Sequence, residues 1–141
     1  MKPSIVIDTN VVVAAIRSRK GASSLLLRRT GQGKFDINLS VPLVFEYEEA
    51  GKRTAQELGI DESNVDVIID YLCSIAHHRK IHFLWRPYLR DLDDDFVLEL
   101  AVEASCDGIV TYNKKDFEGI ERFGLRTVTP KDFLREIGEI P

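Results

Sequence analysis

Ser4-Ile5-Val6-Ile7 is a nearly unbroken apolar run. It halts at three polar residues, Asp8-Thr9-Asn10, before apolar character resumes through Val11-Val12-Val13-Ala14-Ala15-Ile16. A strand with one face in water alternates polar and apolar side chains, whereas a run without alternation belongs to a strand covered on both faces. The second run is too long to stay extended without a break. The natural parse is a buried strand, a polar turn and a helix beginning near Asn10. Strands buried on both faces are those of parallel sheets, whose crossover helices supply the cover.

The same alternation recurs along the chain. A helix is expected from about Ser23 to Thr30, ended by Gly31 and Gly33. Asp36-Ile37-Asn38-Leu39-Ser40-Val41 reads as a second strand, and Pro42 opens a helix at a position that tolerates proline. That helix carries Glu46 and should end before Gly59. Asp61-Glu62-Ser63 caps another, in which Val65, Ile68, Ile69, Leu72, Ile75 and Ala76 share one apolar face. Ile81-His82-Phe83-Leu84 reads as a third strand, and Asp93 to Ala104 as a helix with Phe96, Val97, Leu100 and Ala101 inward. Gly108-Ile109-Val110-Thr111 and Leu125-Arg126-Thr127-Val128 are the fourth and fifth strands. Thr129-Pro130-Lys131-Asp132 opens a last helix ending near Gly138. This order predicts a three-layer α/β/α sandwich, Rossmann-like, around a central parallel sheet of about five strands. No repeat, linker or low-complexity segment interrupts it, so residues 1–141 read as a single domain.

A chain of 141 residues is long enough to bury a real core. With 44% hydrophobic and 30% charged residues, the composition excludes disorder. No apolar run approaches membrane-span length, and Met1-Lys2-Pro3 leads straight into strand-like sequence. Neither a membrane span nor a signal peptide is expected, and the reading is a cytoplasmic protein. Cys73 and Cys106 match neither a CxxC nor a zinc spacing and read as two reduced, buried thiols. The formal net charge of −4 is unlike that of a nucleic-acid binder. The charges are unevenly distributed, however. Acids concentrate in Glu46-Tyr47-Glu48-Glu49 and Asp91-Leu92-Asp93-Asp94-Asp95, bases in Arg17 to Lys20, Arg28-Arg29, Lys52-Arg53, Arg79-Lys80 and Lys114-Lys115. Divalent cations bound at an acidic site would reverse its local sign.

In open parallel sheets, functional groups gather beyond the carboxyl ends of the strands. Asp8 holds that edge after the first strand, and Asn113 and Asp116 hold it after the fourth. Glu46 lies one helical turn into the segment following the second strand, and Asp94 opens the helix leading into the fourth. Each has an ordinary explanation when taken alone. Asp8, Thr9 or Asn10 can cap a helix, and the Asp91 to Asp95 run suits the positive end of a helix dipole. Glu46 suits a solvated helix face, and Asp116 a turn. The conjunction is harder to dismiss, because four unrelated causes would have to place acid at one edge.

Four pieces, in order and spanning nearly the whole chain, resemble the PIN-domain family. They are Ile5-Val6-Ile7-Asp8-Thr9-Asn10-Val11, Ser40-Val41-Pro42-Leu43-Val44-Phe45-Glu46-Tyr47, Asp91-Leu92-Asp93-Asp94-Asp95-Phe96-Val97-Leu98-Glu99-Leu100-Ala101 and Asp107-Gly108-Ile109-Val110-Thr111-Tyr112-Asn113-Lys114-Lys115-Asp116-Phe117. No single piece is specific; the ordered set is. Within that family it resembles the VapC-like nucleases that serve as toxins of bacterial and archaeal toxin–antitoxin systems. It implies an endoribonuclease dependent on Mg²⁺ or Mn²⁺, with RNA as substrate, a cognate antitoxin protein as partner, and a homodimer. It makes Asp8, Glu46 and Asp94 the catalytic, metal-binding acids, with Asn10 and Thr111 as supporting polar groups. Family members often carry Asp where this chain has Asn113, so either Asp116 supplies the fourth charge or a second metal binds weakly. Asp95 and Asp91 stand close enough in sequence to compete with Asp94.

The chemistry agrees with that assignment. Mg²⁺ takes oxygen ligands, keeps several waters and uses few protein carboxylates, and metal-assisted hydrolysis requires no Ser–His or Cys–His nucleophile. His77 and His78 read as helix-end residues and His82 as part of a strand, all without a metal role. Arg17, Arg19 and Lys20 after the first helix, and Lys114 and Lys115 beside Asn113, are candidates to hold RNA phosphates, weighed evenly against a solvated surface. Tyr112 and Trp85 are candidates to stack on bases, although Trp85 reads better as structural.

Three rivals fit less well. A haloacid-dehalogenase phosphotransfer site wants a second Asp where this chain has Asn10, and a receiver domain wants its acceptor after the third strand. A PIN-like module that binds RNA or protein without cutting is favoured by Asn113 but not by Asp8, Glu46 and Asp94. Structure-specific DNA nucleases carry extra helical segments, for which 141 residues leave little room. An RNA-processing nuclease without an antitoxin remains the alternative within the ribonuclease reading.

Overall fold

The first strand, β1 (Ser4–Ile7), enters the middle of the sheet, and Ile5, Val6 and Ile7 are all buried, as an unalternated run requires. The computed structural model describes residues 2–81, 89 and 92–141. Asp8 then caps α1 (Thr9–Arg17), its Oδ1 accepting the Thr9 N–H at 2.9 Å. Helix α2 (Ala22–Arg29) follows, then β2 (Asp36–Leu39), parallel to β1 with Ser4 opposite Asp36 and Ile5 opposite Ile37. The second strand stops short of Val41 because Ser40 turns the chain and caps α3 (Val41–Leu58), accepting the Leu43 N–H. Pro42 sits in the first helical turn, where no N–H is needed, and Gly59 ends the helix in the left-handed region at φ 69°. Asp61 Oδ1 accepts the Ser63 N–H at 2.9 Å at the start of α4 (Ser63–Ile75), which buries Val65, Ile69 and Leu72.

The third strand departs from expectation. It is β3 (His77–His78), paired with Asn38 and Leu39 of β2. The histidines therefore form a strand rather than a helix end. Ile81 belongs to no strand, and residues 82–84 lie outside the described residues, as do Trp85 and Asp91. Both residues of β3 are exposed, so this edge strand carries no apolar run to announce it. Beyond it come α5 (Leu92–Glu103), β4 (Gly108–Val110), β5 (Arg126–Val128) and α6 (Pro130–Glu136), the last capped by Thr129. Two short 3-10 turns, Lys114–Phe117 and Ile120–Phe123, fill the β4–β5 connection and have no periodic signature.

Among the described residues all strand pairings are parallel, and the strand order is β3-β2-β1-β4-β5. The chain therefore lays strands outward from β1 to one edge, then crosses back to place β4 on the other side. Right-handed crossovers put helices on opposite faces when the direction reverses, which completes three layers. Helix α1 packs on α2 and α3, α3 on α4 and α2 on α6, while α5 contacts β1, β2 and β4. Among the described residues, no helix is long and apolar enough to cross a membrane. Cys106 is buried, and Cys73, contrary to the expectation for it, is only half-buried because it lies off the inward face of α4; both are free thiols.

Candidate functional site

The reversal of strand order falls between β1 and β4, and a cluster of polar side chains gathers there, at the carboxyl ends of both strands. The ladder continues one residue past each strand. The Asp8 N–H donates to the Val110 carbonyl at 2.9 Å, and the Thr111 N–H to the Val128 carbonyl at 2.9 Å. Asp8 and Thr111 thus end neighbouring strands side by side, although 103 positions separate them. Both are buried, at 5% and 0% exposure.

Their side chains form one network. Thr111 Oγ1 donates to Asp8 Oδ2 at 2.8 Å and accepts from Asn10 Nδ2 at 3.2 Å and from the Asn113 N–H at 3.0 Å. A hydroxyl has one donor and two acceptor positions, so this one is fully used. Asn10 Nδ2 also reaches Asp8 Oδ2 at 3.2 Å, and Asn10 Oδ1 accepts the Tyr112 N–H at 3.3 Å. With the Thr9 N–H on Oδ1, three donors orient the Asp8 carboxylate.

Glu46 is half-buried in the second turn of α3. Its neighbour Tyr47 is 1% exposed and donates its hydroxyl to the Ile7 carbonyl, one residue before Asp8. Burial pushes the Tyr47 phenol well above its ordinary value, and the charges of Asp8 and Glu46 push it further. Both carboxylates therefore act on one buried phenol. Asp94 and Asp95 lie near the start of α5. Asp94 is half-buried; Asp95 is 2% exposed, with Oδ1 accepting the Leu89 N–H at 2.7 Å. Among the described residues Asp95 Oδ2 has no hydrogen-bond partner. Asp116 is exposed in the first 3-10 turn, its N–H on the Asn113 carbonyl, and Asn113 is exposed too.

The basic candidates separate into two groups. Lys114 and Lys115 are exposed immediately after Asn113. Arg17, Arg19 and Lys20 lie at the far end of α1, roughly 13 Å from Asp8 at the usual helical rise. Arg17 there pairs with Glu57 at 2.7 Å. Tyr112 is 47% exposed, with its hydroxyl hydrogen-bonded to that of Ser23 at 2.6 Å.

A cavity of about 360 Å³ beside Glu46 went unread in the sequence. Pro42, Phe45, Glu46, Glu49 and Arg53 contribute to it from α3, Thr9 from α1 and Phe96 from α5. The signal was present, since those α3 positions recur at the three- and four-residue spacing of one helix face.

Donors at this edge are carboxylate, amide and hydroxyl oxygens, whereas the thiol of Cys106 lies by Ser4 at the opposite ends of the strands. Hard oxygen donors suit Mg²⁺ or Mn²⁺. Among the described residues, no group of three or more His, Cys, Asp or Glu side chains stands close enough to hold a metal ion.

Fold and site together define an α/β/α domain with a buried, hydrogen-bonded carboxylate at its topological switch point. A family model described as the PIN domain matches residues 4–115. This chain belongs to the PIN-domain family. Among solved structures it is similar to VapBC2 from Rickettsia felis bound to a DNA fragment from their promoter. The identity there is 17%, over 89% of this chain and 98% of that one, with a TM-score of 0.63. It is also similar to VapBC-1 from nontypeable Haemophilus influenzae, at 15% identity over 91% of this chain and 98% of that one, with a TM-score of 0.60. No curated protein sequence matches this chain.

Proposed function

We propose that this protein is a Mg²⁺- or Mn²⁺-dependent endoribonuclease and the toxin of a toxin–antitoxin pair. The observation that carries the reading is the buried Asp8 carboxylate, oriented by three donors at the switch point of a PIN domain. In this reading Asp8, Glu46 and Asp94 would hold the metal, with Asp116 completing the set and Asp95 the alternative to Asp94, which requires the ion to draw these carboxylates closer together than they stand without it. Asn10 and Thr111 fix Asp8 by the network they share with Asn113. When bound, the metal supplies an activated water and offsets charge developing on the phosphoryl oxygens. Lys114 and Lys115 hold phosphates beside the scissile bond, and Arg19 and Lys20 meet a longer RNA further along. Arg17 serves RNA less directly, because Glu57 already engages its guanidinium. The likeness to two VapBC proteins supports an antitoxin partner; a homodimer completes the assembly.

Purified protein is expected to cut single-stranded RNA with Mg²⁺ or Mn²⁺ and to stop in chelator. Asp8→Asn and Asp94→Asn should each lower the rate at least about 100-fold, since changes even to groups behind metal ligands cost 10–100-fold. Cleavage that persists in chelator overturns the mechanism. A second reading, a PIN module that binds RNA or protein without cutting, is favoured by the neutral Asn113 and gains if RNA binds but stays intact.

A further inference from the structure

We infer that Tyr112 is a preset stacking platform for one base of single-stranded RNA, adjoining the Asp8 site, with Ser23 as the residue that positions it. The inference rests on the ribonuclease reading and names how that site grips its substrate. Position is the first argument. The Tyr112 N–H donates to Asn10 Oδ1 at 3.3 Å, and Asn10 Nδ2 donates to Asp8 Oδ2 at 3.2 Å. One carboxamide therefore separates the Tyr112 backbone from the Asp8 carboxylate. Thr111, the residue before it, donates to the same carboxylate oxygen at 2.8 Å. A base resting on Tyr112 brings the phosphate of its own nucleotide to the Asp8 site.

The second argument is how the side chain is held. Its hydroxyl is hydrogen-bonded at 2.6 Å to that of Ser23, which lies in the first turn of α2 and is 2% exposed. A surface tyrosine is ordinarily free to turn about its side-chain bonds, but this one is tied at its backbone and at its tip. Nevertheless Tyr112 is 47% exposed. With N–H and hydroxyl both engaged, what it offers a partner is chiefly the ring. Any base has a face that can stack on such a ring, and a ring ordered in advance spares the entropy loss of ordering it on binding.

The charges nearby are the third argument. Lys114 and Lys115 follow Tyr112 by two and three positions, Arg19 and Lys20 precede Ser23 by four and three, and all four are exposed. Cations thus flank both ends of the tether. An aromatic ring for the base with cations for the backbone is the composition of single-strand binding sites, and it favours nucleic acid over an apolar protein partner.

The test measures binding of a labelled single-stranded oligoribonucleotide to full-length protein in chelator by fluorescence anisotropy. Tyr112→Ala should weaken binding about fivefold to 150-fold, the range for one lost base stack. Tyr112→Trp, which keeps an aromatic face, should lose clearly less. Ser23→Ala and Tyr112→Phe keep the ring but release its tip. Each should weaken binding about twofold to tenfold, and the double variant no more than either, because both remove the same hydrogen bond. The salt dependence should be unchanged in Tyr112→Ala, since a ring displaces no counterions. Removing single bases along the oligonucleotide should reveal one position that weakens wild type as much as Tyr112→Ala does, and to which Tyr112→Ala is indifferent.

Equal affinity of Tyr112→Ala and wild type overturns the platform, and so does a wild type insensitive to base removal at every position. A flattened salt dependence in Tyr112→Ala without that base sensitivity also overturns it, by showing that the tyrosine only supports Lys114 and Lys115. The base-removal series on wild type decides the matter even where Tyr112→Ala folds poorly. Cleavage by wild type without base-sensitive binding leaves the nuclease reading standing and the platform refuted. Base-sensitive binding without cleavage does the reverse.

Discussion

Thr111 illustrates how one side chain can support a buried charge. Its hydroxyl donates to Asp8 and accepts from Asn10 and Asn113, with nothing held in reserve. Thr111→Val fills the same space but faces the Asp8 carboxylate with a methyl group. Leaving a buried acceptor short of a donor costs about 1–3 kcal/mol, so urea unfolding should show a loss of that size. Thr111→Ser retains the hydroxyl and should lose clearly less. If the two variants unfold alike, the network does not hold Asp8. On the proposed reading Asp8, Glu46 and Asp94 share a cation, and their charges would repel when none is bound. Asp94→Asn should therefore melt above wild type in chelator and gain less on adding Mg²⁺ or Mn²⁺. Saturation at about 100 times the dissociation constant stabilises the wild type by about 2.7 kcal/mol. A mutant below wild type in chelator, with equal response to metal, would make Asp94 only a favourable charge in the first turn of α5.

At the scale of elements, the α3–α4 contact decides how close two long helices lie. A Cβ at Gly51 of α3 would stand 2.8 Å from Val65 Cγ1 and 3.2 Å from Ile16 Cδ1. Val65 is buried and branched at Cβ, so it cannot swing away. Alanine is favoured over glycine inside a helix by about 1 kcal/mol, but overpacking a core costs about 1–3 kcal/mol. Gly51→Ala should thus lower stability by up to about 2 kcal/mol, against the usual direction for such a change. A more stable variant in a denaturant titration would show that α4 can move outward freely. The helix starts at Asp8 and Thr129 were legible because each cap acts within three residues of itself, whereas Ser40, which reads as the end of a strand, caps α3 instead. Strand β3 was not, because an exposed two-residue edge strand has no apolar period and exists only through its pairing with β2.

For the molecule as a whole, alkaline pH should be a point of weakness. Burial raises the Cys106 thiol from 9.0 to about 11. Between those values the unfolded chain has lost the thiol proton while the native state retains it. The native state then binds more protons, so stability must fall as pH rises through the window and is undiminished below it. Two units at about 1.36 kcal/mol each make the loss at most about 3 kcal/mol. Urea midpoints measured from pH 8 to 11 should decline more steeply for wild type than for Cys106→Ala. Parallel declines would mean that other groups dominate. The thiol should also resist alkylation at neutral pH until the protein unfolds, since the thiolate is the reactive form.

The amino-acid sequence by itself determined what can be written in local terms. The unalternated run of Ser4–Ile7 required a strand covered on both faces, and the helix periods and caps followed from spacing alone. The acids at strand ends were visible for the same reason, because a strand's carboxyl edge is simply where its run of apolar residues stops. Tertiary structure alone decided the strand order β3-β2-β1-β4-β5, and with it which of those ends meet. No local pattern could pair Asp8 with Thr111, give Arg17 to Glu57, or close Phe45, Thr9 and Phe96 around one cavity. Strand order is chosen by the packing of the entire core, and the neighbours of a side chain across the fold are settled only when that packing is complete.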